Sequence, residues 1–99
     1  MRYQVNQKEA MHRIVARQEF GATSLSGKFF KYTPSAGRLG EEYKILCEDF
    51  EEGAYVVLSY STPIAWHGKK GWYLVKEKFS VTTSKQQSKI RHSLGLVSV

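Results

Sequence analysis

The stretch from Ala54 to Trp66, AYVVLSYSTPIAW, constrains the fold of this chain more than any other part of its sequence. Its bulkier residues recur at every second position: Val56, Leu58, Tyr60, Thr62, Ile64 and Trp66. Because successive side chains of a strand point to opposite faces, this period of two predicts a β-strand with these residues on one face. Pro63 has no N–H to donate to a neighbouring strand, so we expect a sheet edge or a bulge there.

A second strand is predicted from Trp72, after the loop HGKKG, because short glycine-containing loops commonly close hairpins. The predicted register pairs Trp66 with Trp72, Ile64 with Leu74, Thr62 with Lys76, Tyr60 with Lys78 and Leu58 with Ser80. This register gathers aromatic rings and lysines on one surface: Tyr60, Trp66, Trp72, Lys76 and Lys78, with Lys69 and Lys70 at its tip. A slip of one residue would dissolve that surface and put Tyr73 beside Trp66 instead.

An amphipathic helix is predicted over residues 4–19. At 100° per residue its apolar side chains cluster on one side: Tyr3, Ala10, Met11, Ile14 and Val15. The opposite side carries Arg2, Arg13 and Arg17. Glu9 lies four residues before Arg13 as a supporting pair, and Gly21 is expected to stop the helix.

A second helix is predicted in SKQQSKIRHSL, beginning at Thr82–Ser84 and ending near Leu94, before Gly95. One stripe of this helix carries Lys85, Lys89 and His92. The inward side is expected to carry Gln87, Ile90 and Leu94.

The middle of the chain is predicted to contain two short strands. One covers residues 25–33, where Gly27 weakens the strand or marks a bulge, and the other covers residues 43–48. A turn-rich connection, expected to be mobile, joins them over residues 34–42. Together these elements predict one small α+β domain over residues 1–99, with an antiparallel sheet of about four strands and the N- and C-terminal helices on one of its faces.

Charge is distributed unevenly along the chain. Lys and Arg number 15 and Asp and Glu number 9, for a net charge of +6. Residues 1–20 carry +2, residues 21–53 carry −2 and residues 54–99 carry +6. The positive field is therefore expected from the C-terminal half, where an acidic partner such as nucleic acid would bind.

No apolar run approaches the roughly 20 residues needed to span a bilayer, and the start MRYQVNQKEA lacks the apolar stretch of a secretory signal. A single cysteine, Cys47, cannot form an internal disulfide. We therefore expect a cytoplasmic protein that binds no membrane.

Two motifs, YSTPIAW over residues 60–66 and FSVTTSKQQ over residues 79–87, resemble a family of small uncharacterised proteins common in phage genomes. The resemblance covers about residues 54–91. Phe79 stands where that family has tyrosine, and Gln86 stands where it has histidine. The resemblance implies a phage or prophage origin and a location in the host cytoplasm, and it implies no activity.

Nucleic-acid binding is the leading functional hypothesis, because base stacking contributes about 1–3 kcal/mol per base and lysines neutralise phosphates. The candidate residues for contact with nucleic acid or a partner are Tyr60, Trp66, Lys69, Lys70, Trp72, Lys76, Lys78, Lys85 and Lys89. The alternative for the tryptophan pair is core packing bordered by solvated lysines.

The TTSK segment suggests an anion site. Thr82, Thr83 and Ser84 offer hydroxyls beside the free N–H groups of a helix start, and Lys85 adds positive charge. Ordinary helix capping explains the same residues. Hydroxyls of this segment are also expected to meet those of Ser59, Ser61 and Thr62 in the folded chain.

Catalysis finds little support in the sequence. His12, His67 and His92 are scattered, with no zinc-site spacing and no glycine-rich phosphate loop, and Cys47 lies in an apolar segment. We expect no enzyme activity, no cofactor and no metal. The alternative to nucleic acid is a host or phage protein, because the acidic middle and basic half suit a protein partner or head-to-tail self-contact. The sequence does not determine the oligomeric state.

Overall fold

A computed structural model describes residues 6–22 and 24–95. The helices and strands follow the order α1 (Gln7–Ala16), β1 (Phe20–Gly21), β2 (Leu25–Phe30), α2 (Tyr43–Asp49), β3 (Ala54–Ser59), β4 (Thr62–Gly68), β5 (Gly71–Leu74) and α3 (Val81–Ser93). The strands form one antiparallel sheet in sequence order. The predicted α+β class and the terminal helices are confirmed, and the sheet has five strands.

The sheet lies between two layers. On one face, α1 and α3 pack against the strands, with Ile14 and Ile90 buried against Tyr55 and Val57. On the other face, α2 and the preceding connection cover the sheet, and Leu46 is buried with its neighbours there. The two terminal helices therefore share a face, as expected, while the opposite face is covered as well.

The stretch from Ala54 to Trp66 forms two strands rather than one. It turns back at Tyr60 and Ser61, so that Ser59 pairs with Thr62. Tyr60 adopts a φ of 57°, a left-handed conformation that favours glycine. The register of β3 and β4 shifts between Val57 and Leu58, which confirms the bulge expected near the proline. Since β3 and β4 are buried on both faces, their residues form a nearly continuous apolar run.

The predicted hairpin register is wrong by one residue. Trp66 pairs with Tyr73, and His67 pairs with Trp72. The turn is also shorter than expected, because β4 continues to Gly68 and β5 starts at Gly71. The two tryptophans consequently lie on opposite faces of the sheet.

The strand predicted over residues 43–48 is helix α2. Its buried residues, Leu46 and Asp49, are three apart, which is a helical spacing, whereas Ile45 and Cys47 are exposed. β2 ends at Phe30, before the predicted position 33.

The N-terminal helix is shorter than predicted. α1 starts after Asn6, whose side chain accepts a hydrogen bond from the N–H of Glu9, and it ends at the left-handed residue Arg17. Val15, predicted on the buried side, is 50% exposed. Arg2 and Tyr3 lie outside the described residues.

α3 is capped by Ser80, whose side chain accepts from the N–H of Thr83, rather than by the segment Thr82–Ser84. Gly95 follows its last turn with a φ of 72°, as expected of a helix-terminating glycine.

Candidate functional site

The two layers that cover the sheet carry opposite charge. Residues 6–17 and 80–95, which contain α1 and α3, include one acidic residue, Glu9, and six cations: Lys8, Arg13, Arg17, Lys85, Lys89 and Arg91. Residues 31–53, which contain α2, include three cations and six carboxylates. We call the outward surface of α1 and α3 the basic face, and that of residues 31–53 the acidic face.

Two acidic residues of the 31–53 layer are turned inward. Asp49 is 4% exposed and accepts the N–H of Lys70 at 2.9 Å. Glu42 accepts the N–H groups of Lys76 and Glu77. The exposed carboxylates of the acidic face are Glu41, Glu48, Glu51 and Glu52.

A groove of about 970 Å³ runs between α1 and α3 on the basic face. Met11 and Val15 contribute apolar surface to it, and its basic side chains are Lys8, His12, Lys89 and His92. Its acidic lining residue, Glu9, forms an ion pair with Arg13 at 2.9 Å. The groove therefore combines an apolar lining with a net positive rim.

A second cavity, of about 630 Å³, lies at the N-terminus of α3. Three segments converge on it, and they contribute Arg38, Tyr60 and Thr82 among its lining residues. Gly37 fits closely against the β3–β4 turn, since an added Cβ would lie 2.6 Å from the carbonyl oxygen of Ser61. Thr82 is exposed and lines this cavity, which is the position that anion binding by the TTSK segment requires. Anion binding itself stays a prediction.

Of the hydroxyl groups expected to meet, those of Ser59 and Thr83 are in contact beneath this cavity, whereas the Thr62 hydroxyl accepts from the N–H of Arg38. Ser59 Oγ lies 3.0 Å from Thr83 Oγ1 and donates to Gln86 Oε1 at 2.7 Å. The amide of Gln86, which is 2% exposed, donates in turn to Ser24 Oγ. Thr83 therefore helps to join α3 to the sheet, and Ser84, which is half-buried, is not among the residues that line the cavity.

The predicted aromatic surface is not assembled. Trp66 is 0% exposed and stacks on Tyr73 with ring centroids 4.8 Å apart. The hydroxyl of Tyr73 donates to Glu42, and burial, together with this hydrogen bond, raises the pKa of Tyr73. Trp72 is half-buried on the opposite face, edge-on to Tyr55. Both tryptophans are therefore packing residues. Core packing was the alternative considered for this pair from the sequence.

The other predicted contact residues are exposed but lie apart. Tyr60 is at the β3–β4 turn, whereas Lys69 and Lys70 are at the β4–β5 turn. Lys76 and Lys78 lie between β5 and α3, and the backbone of Lys76 is held by Glu42 at the start of α2. Lys85 and Lys89 are exposed on α3, so these two share the basic face with α1.

The contribution of α1 to this face was not predicted from the sequence. Lys8, Arg13 and Arg17 belong to the N-terminal part of the chain, whose net charge is small. This contribution could have been inferred from Arg13 and Arg17, which were predicted on the side of the N-terminal helix opposite its apolar residues. That helix was predicted to share a sheet face with α3.

No cluster of three or more His, Cys, Asp or Glu side chains able to hold a metal ion occurs within residues 6–22 and 24–95. In the same part of the chain, no helix has the length and apolar character needed to cross a membrane.

Fold and charge define an α+β protein with a five-stranded antiparallel sheet between a basic helical layer and an acidic layer. The sequence matches the model of DUF8033, a family of unknown function, over residues 28–95, and the chain belongs to that family. The expectation of an uncharacterised family is thereby confirmed. Comparisons with curated proteins and with solved structures found no match in either.

Proposed function

We propose that this protein is a non-enzymatic nucleic-acid-binding protein whose basic face contacts phosphates. The observation that supports this most is the separation of charge across the sheet: six Lys and Arg residues with one Glu in the α1–α3 layer, and twice as many acidic as basic residues in the opposite layer. A polyanion approaching the molecule is drawn to the first layer and repelled by the second.

The basic face is built for phosphate contact rather than for base stacking. Lys85 and Lys89 lie one turn apart on α3, and Lys8 of α1 lines the same groove as Lys89. Each cation that neutralises a phosphate releases condensed counterions, so binding is expected to weaken steeply with salt. The buried Trp66 contributes nothing to such binding.

The test is binding of fluorescent single- and double-stranded oligonucleotides of unrelated sequence over a salt series. Log K is expected to fall with log salt by roughly 0.7–0.9 for each phosphate contact. Lys85→Glu with Lys89→Glu should remove most of the affinity. Lys31→Glu with Lys44→Glu makes the same change of net charge on the acidic face and should leave most of it. Absence of binding at low salt, or equal losses in the two double variants, contradicts the proposal.

A protein partner is the second candidate, and the groove between α1 and α3 favours it. Val15 leaves half of its surface exposed there, beside Met11, and nucleic-acid phosphates make no use of an apolar lining. A host or phage protein that is retained by the immobilised wild-type chain and lost with Val15→Asn would support this candidate. Because Val15→Asn adds no charge to the groove, the salt dependence of oligonucleotide binding should not change.

We further propose that the chain is phage-encoded and acts in the host cytoplasm. The support is the resemblance of YSTPIAW and FSVTTSKQQ to phage proteins. Detection of the protein in the cytoplasmic fraction of an infected host tests this, and its presence only in virions would contradict it.

A further inference from the structure

We propose that the acidic face of one copy of this protein docks on the basic face of the next copy. This inference goes beyond nucleic-acid binding and uses the other side of the molecule as well. It rests on the two complementary charged layers, which one chain presents on opposite sides of its own sheet.

The two faces match in apolar as well as in charged residues. On α2, Ile45 and Glu48 are three residues apart and share one stripe of the helix, and the exposed Glu41 lies in the turn that leads into α2. Ile45 is 36% exposed and is flanked by the two carboxylates.

The basic face has a stripe with the same spacing on α1. Lys8, His12 and Val15 lie four and three residues apart and line the groove. Val15 is half-exposed, and Lys89 of α3 lines the other side of the same groove. An α2 stripe laid along this groove pairs its exposed isoleucine with Val15 and its carboxylates with cations.

The position of the faces determines the type of assembly. A contact between two different surfaces is heterologous. Because the two faces lie on opposite sides of the sheet, two associated copies still expose one unused acidic face and one unused basic face. The expected product is a growing chain of copies rather than a closed dimer. Nucleic acid bound to the basic face should compete with it, because both ligands use α1 and α3.

The test is the weight-average mass of the full chain by light scattering over a range of protein concentrations. At about 10 mM salt, where the Debye length is about 30 Å, mass should rise with concentration beyond twice the 11.3 kDa of the chain. At about 1 M salt, where the Debye length is about 3 Å, the protein should be monomeric.

Charge reversal identifies the surfaces. Glu48→Lys with Glu52→Lys should be monomeric at low salt, and so should Lys85→Glu with Lys89→Glu. Mixing the two variants should restore association, since each presents the charge that the other lacks. Because Glu48→Lys with Glu52→Lys leaves the basic face intact, it should bind oligonucleotides at least as well as the wild type. The proposed function and this inference therefore fail separately.

A monomer at every concentration in low salt overturns the inference. So does a mass that stops at two copies, since that indicates a closed contact, or self-association that persists in Glu48→Lys with Glu52→Lys.

Discussion

Glu42 and Glu77 cap each other across the structure. The N–H of Glu42 donates to the Glu77 carboxylate at 3.2 Å, and the N–H of Glu77 donates to the Glu42 carboxylate at 2.8 Å. Glu77 also accepts from the N–H of Gly40, and Glu42 from that of Lys76. These reciprocal hydrogen bonds join the start of α2 to the segment between β5 and α3. The two carboxylates therefore stabilise the fold.

Replacing Glu42 with glutamine should therefore destabilise the fold by about 1.5–3 kcal/mol, the range for hydrogen bonds to a charged group. The glutamine oxygen can still accept from the N–H groups of Lys76 and Glu77, but the substitution removes the negative charge and places an N–H₂ where Glu42 accepts from the Tyr73 hydroxyl. Urea unfolding followed by circular dichroism measures the change. Glu41→Gln, at the exposed neighbouring position, should stay within about 0.5 kcal/mol. Equal effects of the two substitutions would show that the reciprocal cap contributes little.

Gly27 marks a close approach rather than the bulge that was considered from the sequence. It pairs in register with Val57, and a Cβ at this position would overlap the hydroxyl of Tyr55 and lie 2.7 Å from Phe20 Cε1. Gly27→Ala should cost about 1–3 kcal/mol, as overpacking does. Gly21, in the partner strand β1, has no atom within 4 Å of an added Cβ. Gly21→Ala should be neutral or slightly stabilising in thermal unfolding, and a larger loss at Gly21 than at Gly27 would contradict the packing described.

The neighbouring threonines of α3 offer a matched test of the buried polar network. Thr83 is buried and contacts Ser59 and Ser80, whereas Thr82 is exposed. Thr83→Val should cost about 0.5–1.5 kcal/mol, because it removes the hydrogen bond between Thr83 and the buried Ser59. Thr82→Val should change the free energy of unfolding by about 0.5 kcal/mol or less. A reversed order would show that Thr83 does not join α3 to the sheet.

Alkaline pH should destabilise the protein through Tyr55 and Tyr73. Burial comes first among the causes that raise both pKa values, followed by the nearby Glu19 charge for Tyr55 and the Glu42 hydrogen bond for Tyr73. The folded state therefore holds its phenolic protons more tightly than the unfolded state, whose tyrosines titrate near pH 10. The resulting stability is fully present below about pH 10 and is lost as pH rises above it.

The measurement is tyrosinate absorbance during an alkaline titration of the native protein. Of the six tyrosines, Tyr55 and Tyr73 should ionise only as the fold is lost. Ionisation of all six in one step near pH 10, with circular dichroism unchanged, would contradict this assignment.

The sequence predicts the two terminal helices, α1 and α3, because their signals are local. The burial of Ile14 and Ile90, the exposure of Lys85 and the stop at Gly95 all follow from helical spacing and glycine chemistry. The meeting of Ser59 with the TTSK segment also follows from the order of the elements.

The rest depends on information that local patterns do not carry. The β3–β4 turn contains no glycine or asparagine that would indicate it in the sequence, although Tyr60 adopts a φ of 57° there. The run YKILCE is too short for its periodicity to separate a strand from a helix. The basic face combines cations from both ends of the chain, and only the three-layer packing shows that Arg17 and Lys85 belong to one layer.

Backbone amide chemical shifts test most directly whether oligonucleotides bind to the basic face. At a salt concentration where light scattering shows a monomer, titration with a short oligonucleotide should shift amides of α1 and α3, including those of Lys8, Lys85 and Lys89, and should leave those of α2 unchanged. Shifts concentrated on α2 or on the β4–β5 turn at Lys69 and Lys70, or no shifts at low salt, would contradict the claim that the basic face is the functional surface.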